Sequence, residues 1–118
     1  MNAEFILDYH FLLLTSSVGL ILIITGYIHL KFPPKKINHL YGYRTKNSMK
    51  NQERWDFAQH YSAKELMKTG GLLILIGLPD LYFQFKDYIG IILGLIFFIA
   101  GVIYLFFRVE AAIKKRFN

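Results

Sequence analysis

A polar and aromatic segment, residues 38–55, contains most of the side chains in this chain that could bind a ligand. Arg44 offers a planar fork of hydrogen-bond donors, which suits a phosphate or a carboxylate. Hydroxyls, amides, aromatic rings and a glycine surround it: Asn38, Tyr41, Gly42, Tyr43, Thr45, Ser48, Asn51 and Trp55. These residue types predict a pocket for a lipid headgroup or for the end of a peptide, with the rings at the level of the headgroups.

The same segment also has a structural interpretation. Arg44 could pair with Glu53 or Asp56, or with loop carbonyl groups, so that the motif only pins the loop to the ends of helices. Gly42, between two tyrosines, indicates a turn with unusual backbone angles or a close approach to a neighbour. The two interpretations are compatible, because a ligand-binding motif also needs structural support.

Residues that could act as catalysts or metal ligands show no recognised spacing. His39, His60, Glu53, Asp56 and Glu65 are close in sequence, but no H-E-x-x-H pattern, nucleophile motif or phosphate-binding loop includes them. The chain has no cysteine, which excludes disulfides and thiolate metal sites. We therefore expect no enzyme, no metal site and no cofactor.

The segment lies between runs that are apolar enough for a lipid bilayer. Hydrophobic residues make up 54% of the 118 residues. About 20 apolar residues, at ~1.5 Å per residue, cross a hydrocarbon core of ~30 Å. The runs predict spans at about 11–32, 66–85 and 88–107, which must be helices because lipid-exposed backbone satisfies its hydrogen bonds internally. The expected fold is an all-α integral membrane protein, with residues 1–118 forming one membrane domain.

Between the first two spans, residues 33–61 are predicted to form a motif loop and a short amphipathic helix. The pair Pro33–Pro34 ends the first span, because proline cannot donate a backbone hydrogen bond. Ser48 or Asn51 can cap the short helix, which would lie along the membrane interface. The segment Ser62–Glu65 has the form of a capping box. We therefore expect the chain to bend near Tyr61 and to enter the bilayer in a new helix.

Glycines recur seven residues apart in all three spans. The pairs are Gly19 and Gly26, Gly70 and Gly77, and Gly94 and Gly101, and Gly90 adds a G-x-x-x-G pattern in the third span. Seven residues are about two helical turns, so each pair lies on one helix face. Such faces favour close helix packing, either within one bundle or between copies in a homo-oligomer.

Asp80 is a carboxylate in the outer third of the second span, directly after Pro79. A carboxylate at this depth is costly unless it is paired or close to water. Two interpretations follow. Either the helix ends at the outer interface, or Asp80 faces the bundle or an external ligand.

The distribution of basic residues predicts the orientation. Nine Lys or Arg lie in 31–68 and four in 108–116, whereas residues 1–10 have none and the turn after the second span has only Lys86. By the positive-inside rule the N-terminus lies outside, and the motif loop and C-terminus lie in the cytoplasm. The net charge of +6 fits attraction to anionic headgroups rather than to nucleic acid.

The motif resembles the signature of the SdpI family of bacterial multi-pass membrane proteins. The similar residues are Pro33 to Lys36, Asn38, Tyr41 to Thr45, Ser48, Met49, Asn51, Trp55, Phe57 and Ala58, and the resemblance covers roughly residues 31–105. The layout is that of short, single-module, YfhL-like members. The resemblance implies a location in the bacterial plasma membrane. The best-known members of the SdpI family confer immunity to a secreted, membrane-active peptide.

Two functions are expected from these observations. The first is immunity to, or sensing of, a membrane-active antimicrobial peptide. The second is that of a small accessory subunit, whose glycine faces and aromatic residues pack against a larger membrane protein complex.

Overall fold

The computed structural model describes residues 7–118, most of which are helical. The helices are α1 (His10–Lys31), α2 (Gln52–Gly77), the short α3 (Asp80–Phe83) and α4 (Asp87–Phe117). They form three segments that are long and apolar enough to cross a membrane, namely α1, α2 together with α3, and α4. Residues 7–118 contain no strand. The predicted all-α membrane fold with three spanning helices is confirmed.

The predicted bend near Tyr61 is wrong, because α2 runs without interruption through Gln52–Gly77. The Ser62 hydroxyl does not cap a new helix but donates to the Gln59 carbonyl oxygen of the preceding turn at 3.1 Å. Glu65 pairs with an arginine of α4 instead of reaching back along α2. The expected interfacial helix is therefore the first part of α2, and its apolar face packs against protein.

The helix of the third span also extends beyond the expected end of that span. The apolar run ends near Phe107, yet α4 continues to Phe117. No proline or glycine follows Gly101, so nothing in the sequence interrupts the helix there. The added turns place Val109 and Ile113 in a small core with Tyr43 of the loop. The end of α4 thus forms part of the support for the motif.

Glycines set the distances between the helices. A Cβ on Gly19 would lie 2.5 Å from the carbonyl oxygen of Gly70, so α1 and α2 are nearly in backbone contact there. Gly26 likewise meets the backbone of α2, and Gly90 and Gly94 of α4 face residues of α1. Close backbone packing of this kind is the usual role of small residues in membrane helices. These glycine faces are occupied within a single chain.

Asp80 lies at the opposite end of the bundle from the loop, with 0% of its surface exposed. Its Oδ2 accepts from the backbone N–H of Leu12 at 3.0 Å, and its Oδ1 accepts from the N–H of Phe85 at 3.0 Å. Leu12 is in the first turn of α1, where backbone N–H groups have no partner within the helix. Asp80 therefore faces the bundle, as one of the two interpretations expected, and caps a neighbouring helix.

Substitution of two adjacent glycines tests the packing of α1 on α2. Gly70→Ala would push a methyl group into the Gly19 carbonyl, whereas a Cβ on Gly71 meets nothing within 4 Å. We expect Gly70→Ala to lower the free energy of unfolding by about 1–3 kcal/mol. We expect Gly71→Ala to change it by no more than about 1 kcal/mol, because alanine favours the helix. Denaturation in detergent micelles measures both, and equal losses would contradict the packing.

Candidate functional site at the motif loop

The side-chain amide of Gln59, which is 1% exposed, attaches the motif loop to α2. Its Nε2 donates to the carbonyl oxygen of Tyr43 at 2.8 Å, and its Oε1 accepts from the N–H of Tyr43 at 2.7 Å. The same Oε1 lies 3.0 Å from Nε2 of His29 in α1. Because the Tyr43 bonds fix the amide orientation, His29 is the donor in this pair. One amide thus joins α1, α2 and the loop.

Gly42 lets the backbone approach this amide. Its φ is +107°, in the region that favours glycine. A Cβ at this position would lie 2.6 Å from Oε1 of Gln59 and 2.6 Å from Cγ of Pro34. Both reasons that the sequence suggested for a glycine here are therefore confirmed.

Thr45 and Ser48 hold the turn that follows by reciprocal hydrogen bonds. The N–H of Thr45 donates to Oγ of Ser48 at 2.9 Å, and the N–H of Ser48 donates to Oγ1 of Thr45 at 3.2 Å. The buried Ser48 hydroxyl is also 3.2 Å from the carbonyl oxygen of Tyr43. These two hydroxyls are committed to the shape of the loop.

The two asparagines of the motif have local structural roles. Oδ1 of Asn38 accepts from the N–H groups of Leu40 at 2.9 Å and Tyr41 at 2.7 Å. Oδ1 of Asn51 accepts from the N–H of Arg54 at 2.8 Å and caps α2. Of the two caps predicted from the sequence, Asn51 is the one that α2 uses.

The aromatic residues of the motif are mostly internal. Trp55 is fully buried, and its Nε1 donates to the carbonyl oxygen of Pro34 at 2.7 Å. Tyr43 is also buried, whereas Tyr41 is 43% exposed and donates its hydroxyl to the carbonyl oxygen of Phe32 at 2.8 Å. Of the three rings expected at the headgroup level, only that of Tyr41 is exposed.

Glu110 of α4 holds the other side of the loop, and the sequence reasoning missed it. Its Oε1 accepts from the hydroxyl of Tyr43 at 2.8 Å, and its Oε2 accepts from Nδ2 of Asn47 at 2.7 Å. Burial, together with the hydrogen bond to Glu110, raises the pKa of the Tyr43 phenol, which therefore remains a donor. The available signal was that Glu110 is the only acidic residue after Asp87.

Arg44 differs from its neighbours in the motif. Its side chain is exposed, and within residues 7–118 it has no hydrogen bond or ion pair. The expected pairing with Glu53 or Asp56 does not form, and Asp56 instead accepts from Nε2 of Gln52 at 2.7 Å. The motif therefore holds the backbone on both sides of Arg44 and leaves its guanidinium group available.

Arg44 lines a cavity of about 360 Å³. Helices α1, α2 and α4 all contribute to this cavity, which we call the Arg44 groove. Its lining includes the apolar residues Leu66, Leu105 and Phe106, and the polar residues Thr25 and His29. An exposed cation beside an apolar lining suits a ligand with an anionic end and an apolar body.

The histidines near the loop do not form a metal site. Among residues 7–118, no three or more His, Asp or Glu side chains are close enough to hold a metal ion. His39 and His60 are exposed, and His29 is committed to Gln59.

A comparison of Arg44→Ala with Gln59→Leu separates the residue available for binding from the residue that supports the loop. We expect Arg44→Ala to change the free energy of unfolding by less than about 0.5 kcal/mol, because Arg44 is exposed and unpaired. Gln59→Leu leaves the N–H of Tyr43 without a partner, which costs about 1–3 kcal/mol, and the carbonyl oxygen of Tyr43 keeps only its hydrogen bond from Ser48. Chemical denaturation in micelles measures the difference, and similar losses in both variants would contradict these roles.

Comparison with known proteins identifies the family. Residues 35–108 match the model of the SdpI/YfhL protein family. The uncharacterized protein YfhL of Bacillus subtilis (strain 168) is 37% identical over 100 residues, which cover 81% of this chain and 82% of that protein. No solved structure matches the chain. The matched segment includes residues 38–55, all of α2 and most of α4, and the chain belongs to the SdpI/YfhL family of membrane proteins.

Proposed function

We propose that this chain protects a bacterial cell from a membrane-active antimicrobial peptide, or senses such a peptide, by binding it at the Arg44 groove. The observation that carries the proposal is the unpaired Arg44 guanidinium group beside an apolar groove. Membership of the SdpI/YfhL family supports it. We propose that the protein lies in the plasma membrane, with its N-terminus outside and the motif loop in the cytoplasm.

The chemistry of Arg44 favours a peptide end as the ligand. A guanidinium group can donate two parallel hydrogen bonds to a carboxylate, and such bonds are stronger away from bulk water. Tyr43, the residue before Arg44, is fixed by Gln59, and Thr45, the residue after it, is fixed by Ser48. The backbone is therefore ordered before a ligand arrives, which lowers the entropic cost of binding.

The apolar lining accounts for selection of a membrane-active peptide. Leu66, Leu105 and Phe106 lie on helices that are apolar enough to cross a membrane, so a ligand can reach them from within the bilayer. A peptide held there by its acidic end and its apolar side chains would be removed from the population that damages the membrane. Binding at the cytoplasmic side would intercept peptides that have already entered the bilayer.

The alternative function, an accessory subunit, relied on glycine faces for contact with a larger complex. Gly19, Gly70, Gly90 and Gly94 pack against helices of the same chain. An accessory subunit would therefore have to use a different surface. The Arg44 groove favours the first function.

Survival of a sensitive bacterium tests the proposal. Cells that produce the intact protein are challenged with a panel of secreted, membrane-active peptides, beside cells that produce Arg44→Ala or carry an empty vector. We expect the intact protein to raise the lethal concentration of at least one peptide. We expect Arg44→Ala to reduce this increase about tenfold, which corresponds to the loss of one charge-assisted hydrogen bond. Membrane expression is matched by immunoblot.

Lys46→Ala is the control, because Lys46 is an exposed cation of the same loop and does not line the Arg44 groove. We expect Lys46→Ala to protect as well as the intact protein. Full protection by Arg44→Ala would contradict the role of the groove. An absence of protection by the intact protein against every peptide would contradict the immunity function.

A further inference from the structure

Two neighbouring cavities, one apolar and one basic, are lined by α2 and α4, and together we call them the α2–α4 groove. Its apolar part has a volume of about 330 Å³ and is lined by Leu73, Ile76, Phe97, Gly101 and Tyr104, among others. Gly101 leaves room in this groove, because an added Cβ would meet its nearest neighbour only at 3.4 Å. Both helices are apolar enough to lie in the bilayer. An acyl chain is therefore the natural occupant of this part.

The basic part of the α2–α4 groove has a volume of about 550 Å³ and is formed by the ends of α2 and α4 on the side of the motif loop. Arg108, Lys115 and Arg116 line it with Phe57 and Tyr61, and no acidic residue among residues 7–118 lines it. Arg116 lies over the ring of Phe57, 4.9 Å from its centroid, and Nη2 of Arg108 is 3.3 Å from the hydroxyl of Tyr61. The ring of Phe57 thus holds Arg116, and the hydroxyl of Tyr61 holds Arg108.

Charged residues connect the two parts. Nζ of Lys68 lies 5.6 Å from the centroid of the Tyr104 ring, at the edge of the apolar part. Glu65 pairs with Lys68 at 3.7 Å and with Arg108 at 3.5 Å. One carboxylate therefore faces several cations, and the region keeps a positive charge that would attract an anion.

The depths of the two parts match one leaflet of a bilayer. Phe97 in the apolar part and Arg108 in the basic part are eleven residues apart on α4. At ~1.5 Å per residue this separation is about 16 Å, close to half of a hydrocarbon core of ~30 Å. An amphiphile of one leaflet can therefore reach both parts at once.

We propose that the α2–α4 groove binds an anionic phospholipid, with its phosphate at Arg108, Lys115 and Arg116 and an acyl chain between Leu73, Phe97 and Gly101. Charge complementarity and the apolar lining support this occupant. The inference is independent of the proposed function, because none of these residues lines the Arg44 groove.

Native mass spectrometry of the purified protein, released from micelles containing a known amount of lipid, tests the proposal. We expect the intact protein to retain phosphatidylglycerol at least about fivefold more than phosphatidylcholine, because only the former has a net negative charge. The double variant Lys115→Gln/Arg116→Gln should lose about tenfold of its phosphatidylglycerol retention. Its matched control is Lys36→Gln/Lys50→Gln, which removes two exposed loop cations outside the groove and should retain the lipid.

Two further measurements test the apolar part. Gly101→Leu fills the cavity while all cations remain, and it should reduce phosphatidylglycerol retention. Glycerophosphoglycerol, which is the headgroup without acyl chains, should fail to displace the lipid at equal concentration. Circular dichroism confirms that each variant keeps its helices.

Equal retention of the two lipids, or equal losses in the two double variants, would overturn the proposal. Displacement by glycerophosphoglycerol would also overturn it, because the site would then be one for soluble anions. Unchanged retention by Gly101→Leu would show that no acyl chain occupies the groove.

Discussion

The rest of this structure depends on a buried amide that must satisfy its hydrogen bonds. Gln59 is buried on the inward face of α2. Moving an amide from water into such an apolar environment without hydrogen-bond partners costs at least ~2 kcal/mol. It pairs with both backbone groups of Tyr43 and accepts from His29. These bonds fix the position of the loop relative to α1 and α2. Because Arg44 is the next residue, its side chain is attached to a backbone that these hydrogen bonds hold in place.

Most residues of the motif therefore hold the loop in place, whereas the guanidinium group of Arg44 is left available. Trp55, Ser48 and Asn51 bond to backbone groups, and Glu110 closes the loop from α4. Arg44 lines a groove with apolar residues and has no hydrogen bond or ion pair within residues 7–118. The ligand binding proposed at the Arg44 groove requires such a division, because an ordered loop lowers the entropic cost of binding.

Local patterns predicted the elements well and the long-range contacts poorly. Apolar length gave the three spans, and the need for an unusual backbone angle identified Gly42. The bend predicted near Tyr61 is absent because no proline or glycine interrupts residues 52–69, so the helix continues through the capping-box pattern. The contacts of Gln59, Glu110 and Asp80 join residues 16 to 68 positions apart. No periodicity in a single sequence shows which distant partner a buried polar group will find.

Amide hydrogen exchange at Tyr43, measured by NMR in micelles, tests the central claim most directly. If Gln59 holds the loop, the N–H of Tyr43 exchanges as slowly as amides inside α2 in the intact protein. In Gln59→Leu that protection disappears at Tyr43, while the amides of α2 keep theirs. Rapid exchange at Tyr43 in the intact protein, at the rate of a free loop, would contradict the account.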